Sequence, residues 1–392
     1  IGYEVAPGEN SDNKVIVSFG KLLCRFDDPV ALHAAALLAD YLAGDAEAPL
    51  KRAVLDAGLG EDMDVSLSDG MQQAWFGWQV WNTREEAIPE IKQTLRTALE
   101  DILHTGLDGD RLEGCYNALA FRLLDRDGDD YPRGLAEASN MLEAWLYGGD
   151  PAQNLHYRRI LAELKEKLHF GYLEALLRRL LLDESDGFLA VLLPDPQLGQ
   201  RRAEEETRRA RAYWESLSQG QQAALKEELD MLHTWQQTPD TEKALATLPR
   251  IRLDQIEKEP KELPMETCQV GGIPVLVHRV STGGIVHLNL YFALDDLSPE
   301  DLPEVSFLSK VLTHVPTKNH SLEDLQREIR SRMGSLSFSV EAYATRGAVD
   351  RCRVFLVAQC SLLEQKQREA LELLEEILTQ SCLEQGETVY PF

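Results

Sequence analysis

The chain has 392 residues and a formal net charge of −26 at pH 7. That length predicts two or three domains, its 44% of apolar residues supply sizeable cores, and its acidic balance argues against nucleic-acid binding, which needs a basic face. No stretch is apolar for the length of a membrane span, and the six cysteines (Cys24, Cys115, Cys268, Cys352, Cys360 and Cys382) include no C-x-x-C pair, which points to free thiols in a reducing compartment (cytoplasm or an organelle matrix).

Residues 1–13 are polar and rich in Gly, Pro and Asn, and read as a linker. Lys14–Phe19 predicts a short buried strand. Asp28-Pro29 then opens a helix through Ala43, with Asp28 as its N-cap. Leu37, Leu38, Tyr41 and Leu42 carry its apolar stripe, and Gly44 ends it. Pro49 begins a short helix with Leu50, Val54 and Leu55 on its apolar face, closed by Gly58 and Gly60. Val65 and Leu67 alternate with Asp64, Ser66 and Ser68, as in a half-buried strand. Gln72–Trp81 predicts a second strand, with Ala74, Phe76, Trp78 and Val80 on one face and Trp75 and Trp81 on the other. Core packing is favoured for these rings over a peptide-binding wall. A long amphipathic helix over Arg84–His104, helices near 109–125, 133–147, 151–168 and 170–182, and a closing strand over Gly187–Leu193 complete this region.

Composition changes at residues 198–245, which hold many charges and almost no strand formers. Broken by Ser218-Gln219-Gly220, they predict a helical hairpin. Its expected seam is Tyr213, Trp214, Leu217, Leu225, Leu229, Leu232 and Trp235. Pro239, then Pro249 through Pro264, space out an extended linker. A hairpin turning at Gly271-Gly272 is expected from Met265 to Val280. A strand over Ile285–Ala293, helices at 302–314 and 322–332, strands at 335–344 and 352–360 and a helix at 363–380 follow.

From Lys14 the order is strand, helix, short helix, strand, strand, long helix, and it recurs from Ile285. Two ordered copies predict homologous α+β domains. The run Ala48–Leu67 (APLKRAVLDAGLGEDMDVSL), with this repeat and the hairpin between its copies, resembles the presequence-peptidase branch of the pitrilysin/insulinase zinc metallopeptidase superfamily. The resemblance implies two α/β-sandwich repeats joined by a helical hairpin. Residues 1–196 would be the second domain, 197–263 the hairpin and linker, and 264–392 an incomplete third domain. The tail Leu383–Phe392 does not fit the pattern.

Members of the family are inverted zincins whose H-x-x-E-H helix holds zinc and a catalytic glutamate. That motif is absent here. No two of the nine histidines stand three or four residues apart. His33 reads as a core or interface residue, and a metal pair from His278 and His287 is disfavoured. Asp125–Asp130 resembles a calcium loop but has its glycine at position 4 and Ala136 at position 12, so it reads as a solvated turn. The resemblance places the catalytic zinc pair in a first domain and a substrate-binding Arg/Tyr pair in a fourth, so neither is assigned to any residue here. No catalytic, cofactor-binding or metal residue is therefore expected in this segment; zinc is expected in the parent protein. The implied function is that of a non-catalytic central portion, the chamber wall and hinge of a zinc metalloendopeptidase that degrades short unstructured peptides. The alternative is an inactive scaffold or binding subunit on the same repeats. Expected partners are unstructured peptides, with no nucleic acid and no membrane, and self-association through the truncated third domain.

Overall fold

The computed structural model describes residues 1–6, 8, 11–125, 132–256 and 263–383. The first elements in chain order are β1 (Gly2–Glu4), β2 (Val15–Arg25), α1 (Pro29–Ala43), α2 (Pro49–Asp56), β3 (Asp62–Ser68), β4 (Gln73–Thr83) and α3 (Ile88–Thr105). Next come α4 (Gly109–Leu124), α5 (Arg133–Trp145), α6 (Tyr157–Leu168), α7 (Tyr172–Leu177), β5 (Phe188–Asp195), α8 (Leu198–Ser216), α9 (Gln219–Gln237) and α10 (Glu242–Leu245). The chain closes with β6 (Glu266–Val270), β7 (Ile273–Val277), β8 (Ile285–Ala293), α11 (Leu302–Val311), α12 (Leu322–Arg332), β9 (Ser335–Thr345), β10 (Ala348–Leu363) and α13 (Gln367–Gln380). Two compact units result, one of Ile1, Asp12–Leu192 and Ser281–Phe392, the other of Gly2–Ser11 and Leu193–Val280.

The first unit holds both repeats. In the first, β2 lies between β5 and β4, and β3 pairs with the far edge of β4, all antiparallel. In the second the strand order is β8-β10-β9, also antiparallel. Matched in chain order, β2, β4 and β3 correspond to β8, β10 and β9. The internal repeat is thus a repeat of topology, and the fold is α+β.

Local chemistry explains the helix starts. The Asp28 carboxylate accepts the Ala31 N–H at 3.0 Å, satisfying a donor that the helix cannot. At the end of α2, Gly58 takes φ +63°, a conformation that costs glycine little. Leu38, Leu42, Leu50, Met63, Phe76 and Val80 are fully buried where α1 and α2 cover the sheet. The second core joins Leu325, Phe338, Ala358, Leu362 and Leu373 beneath α12 and α13.

Some expected boundaries move. The strand expected to end at Phe19 runs on to Arg25, across Gly20 and Lys21. A lysine in a buried strand contradicts the alternation rule unless its charge is satisfied. Here Lys21 Nζ donates to the Asp183 carbonyl at 2.9 Å and to Asp183 Oδ2 at 3.2 Å. The helix expected over 151–168 begins as a single turn at Gln153–Leu155 and restarts at Tyr157, and that over 170–182 widens into a π-turn at Arg178–Leu182.

Hydrogen bonds from Ser185, then from Lys21, pull the Asp183 carboxyl down to about 2. A carboxyl depressed in the folded state adds stability above its unfolded value, about 4, and loses it as pH falls toward 2. In Lys21→Met the Asp183 carboxyl should titrate nearer the ordinary aspartate value. Titration of its side-chain NMR resonance in both proteins checks this, and an unmoved midpoint would dissociate Lys21 from the shift.

The repeats meet through α4 and α12. Arg330 on α12 pairs with Asp40 and, at 3.1 Å, with Asp45, which also receives Arg111 at 2.9 Å. Asn117 donates to the Ser331 carbonyl at 3.0 Å, and Lys366 pairs with Glu113 at 2.7 Å. Ile285 and Leu363 pack with Ala120 and Leu161 beside them.

In the second unit β1 pairs in parallel with the distal end of β5. Ser218 caps α9 through a reciprocal bond with Gln221. The expected hairpin seam needs correcting. Trp214, Leu217 and Leu225 are half-buried near the turn, where Gln222 Nε2 donates to the Trp214 carbonyl at 2.8 Å. Tyr213, Leu229, Leu232 and Trp235 are exposed, Trp235 at 73%. Apolar spacing on one helix cannot report whether a neighbour lies against it. Gly271 and Gly272, at φ +59° and +86°, turn β6 into β7 as expected.

Candidate functional site

Side chains alternate across a strand, so a sheet covered on one face by helices leaves every second residue on the other. In β4 this separates the aromatic run. Phe76 and Trp78 point into the core, while Trp75 and Trp81 lie on the opposite face with Leu22 of β2 and Phe188 of β5. Phe188 meets Trp75 edge-on at 6.1 Å, and both rings lean over Gly20, where a Cβ would lie 2.5 Å from Phe188. Leu22 is 57% and Phe188 52% exposed. The expectation that these rings are core holds for one face of β4; the other presents an apolar, aromatic surface.

The second sheet presents a similar surface that sequence reading missed. Val286, Leu288 and Leu290 of β8 pack into the core, leaving Tyr291 on the other face with Phe355 of β10 and Tyr343 of β9. The three ring centroids lie 5.9, 5.9 and 6.0 Å apart in edge-on geometry. Alternation in β8 places Tyr291 opposite the core set. The trio itself depends on cross-strand register, which no local pattern carries. Glu341, two residues before Tyr343, shares this face. It accepts from the Tyr343 hydroxyl, from Ser339 Oγ at 2.9 Å and from Gln359 Nε2 at 3.4 Å. The first two of these bonds hold its carboxyl below the usual glutamate value.

The histidines take ordinary roles. His33 Nδ1 lies 2.7 Å from the Pro29 carbonyl, and burial holds its ring below the usual imidazole value. His278 Nδ1 lies 3.2 Å from the Pro264 carbonyl, and His287 Nδ1 lies 2.9 Å from Ser361 Oγ. Among the described residues no group of three or more His, Cys, Asp or Glu side chains is placed to hold a metal ion. The donors among the described residues do not fit a zinc site. The calcium-like run at 126–130 and the tail from 384 lie outside the described residues. Among the described residues no helix is long and apolar enough to cross a membrane.

Residues 192–389, half of the chain, match the family described as Peptidase M16, subfamily C, associated. The chain belongs to that family and is a presequence-peptidase-like protein of the pitrilysin/insulinase type. It is 27% identical over 383 residues to Protein HypA of Clostridium perfringens, covering 97% of this chain and 39% of that protein. It is also 27% identical over 329 residues to presequence protease 1, chloroplastic/mitochondrial, of Arabidopsis thaliana, covering 83% and 30%. Among solved structures, that of pitrilysin covers 100% of this chain and 39% of its own, at 13% identity and a TM-score of 0.42. The chain spans about a third of the length of these curated relatives.

Proposed function

We propose that this chain is the non-catalytic central portion of a zinc metalloendopeptidase that degrades short, unstructured peptides inside a closed chamber. Residues 1–196 and 264–392 would form its second and third domains as chamber wall, and 197–263 the linker that lets the halves hinge. Zinc chemistry is assigned to another part of the parent protein. The observation that carries the reading is the pair of aromatic, partly exposed sheet surfaces, one on each repeat. An unstructured peptide keeps its apolar side chains exposed, and these bury against ring faces at about 25 cal/mol per Å² removed from water. A folded protein keeps its own inside and offers such faces little.

The test uses the intact protein from the same gene and a set of quenched fluorescent substrates. Cleavage of an unstructured peptide, sparing of a compact folded protein and loss of activity with a chelator are expected. This chain alone should bind the same peptide without cutting it. An intact protein that binds the peptide and never cleaves it would replace this reading with the scaffold one.

A further inference from the structure

We propose that Glu341, Tyr291, Tyr343 and Phe355 form a subsite for one cationic side chain, arginine or lysine, of an extended peptide lying on the second sheet. The proposal rests on the peptide-binding reading and adds a chemical preference to it. Glu341 stands directly opposite Phe355 across the β9–β10 ladder, and Tyr291 stands opposite the next residue of β10 on the same face, Val357. The carboxylate therefore sits at the edge of the ring cluster. Tyr291 is 50% and Tyr343 42% exposed, so their rings remain accessible.

The charge is what selects the occupant. Glu341 is held by neutral donors, two hydroxyls and an amide. Among the described residues no Lys, Arg or His pairs with it; the Arg353 guanidinium is taken by Asp295. A carboxylate fixed by three neutral hydrogen bonds keeps its charge, and it is preorganised to meet a cation from outside the chain. The rings suit the same partner, because the negative face of an aromatic ring attracts a cation. Phe355 already does so, with the Arg353 guanidinium 5.1 Å from its ring centroid. The chain's net charge of −26 further favours a cationic over an anionic peptide as it approaches.

The test compares two unstructured peptides that differ at one central position, arginine in one and its neutral isostere citrulline in the other. Their binding to the full chain is followed by fluorescence anisotropy. The arginine peptide should bind about tenfold more tightly, the size that an exposed ion pair and one cation–π contact supply together. Glu341→Gln removes the ion pair and leaves the rings in place, so it should cut that preference to about threefold. Tyr343→Phe keeps the ring and the carboxylate, so it should retain most of the preference. Circular dichroism and melting of each variant establish that it is folded. Equal binding of the two peptides to the native chain, or a preference that Glu341→Gln leaves at its native size, overturns the subsite alone. If neither peptide binds, the peptide-wall reading falls with it.

Discussion

Phe76→Ala is expected to lower stability by about 3–5 kcal/mol, while Trp75→Ala, one residue earlier in the same strand, costs roughly 1 kcal/mol. The difference lies in which face each ring occupies. Phe76 is fully buried between the sheet and the helices that cover it. Its truncation removes a large apolar side chain and leaves a cavity in close-packed surroundings. Trp75 lies on the open face, against Phe188 and above Gly20. Its truncation forfeits an edge-on ring contact, and solvent fills the space. Urea unfolding of the two variants checks this through their midpoints, with the slope unchanged if the unfolding reaction is the same. Equal losses would mean that β4 does not separate its aromatics as described. Binding of an unstructured peptide should respond in the opposite sense, weakened by Trp75→Ala and unaffected by Phe76→Ala at temperatures where the variant remains folded.

That contrast also marks how far sequence alone reaches. Period-two alternation in Gln72–Trp81 divides the strand into two faces correctly, because the pattern is a property of the backbone. It cannot say that the second face stays uncovered, since that depends on where α1, α2 and α3 pack. The same limit explains Lys21. Its burial follows from Asp183, which lies 162 positions away and accepts its ammonium group. The aromatic trio on the second sheet joins residues from β8, β9 and β10, and only strand register brings them together. The helices and their caps were legible because Asp28, Pro29, Pro49 and Gly58 act on neighbours within one turn. On α8 and α9 the apolar spacing was legible too, yet Trp235 and Leu229 are exposed. Spacing defines a face, and a partner must exist before that face is buried.

Arg330→Glu is expected to weaken the junction between the two repeats by about 3 kcal/mol. The native arginine faces Asp40 and Asp45, and Asp45 is shared with Arg111. Reversal leaves three carboxylates with Arg111 as the cation joined to Asp45, so attraction becomes repulsion between groups that are only partly solvated. Breaking a buried pair costs roughly 3–5 kcal/mol. Arg330 is 35% and Asp40 27% exposed, so water screens part of that and the lower end applies. Gly44 adds a steric reason for the geometry, since a Cβ there would collide with Asp40 Oδ1. The readout is hydrogen exchange: amides of α4 and α12 should lose protection while those of β4 keep theirs. Pairing Arg330→Glu with Asp40→Arg should recover part of the loss, with a coupling of about 1 kcal/mol or more in a double-mutant cycle. Unchanged exchange in α4 and α12 would shift the cohesion of the repeats from this ion cluster to the apolar contacts of Ile285, Leu363, Ala120 and Leu161 and the Phe121 ring against Gly334. In that case a bulky residue at position 334, where a Cβ would run into the Phe121 ring, becomes the substitution that separates them.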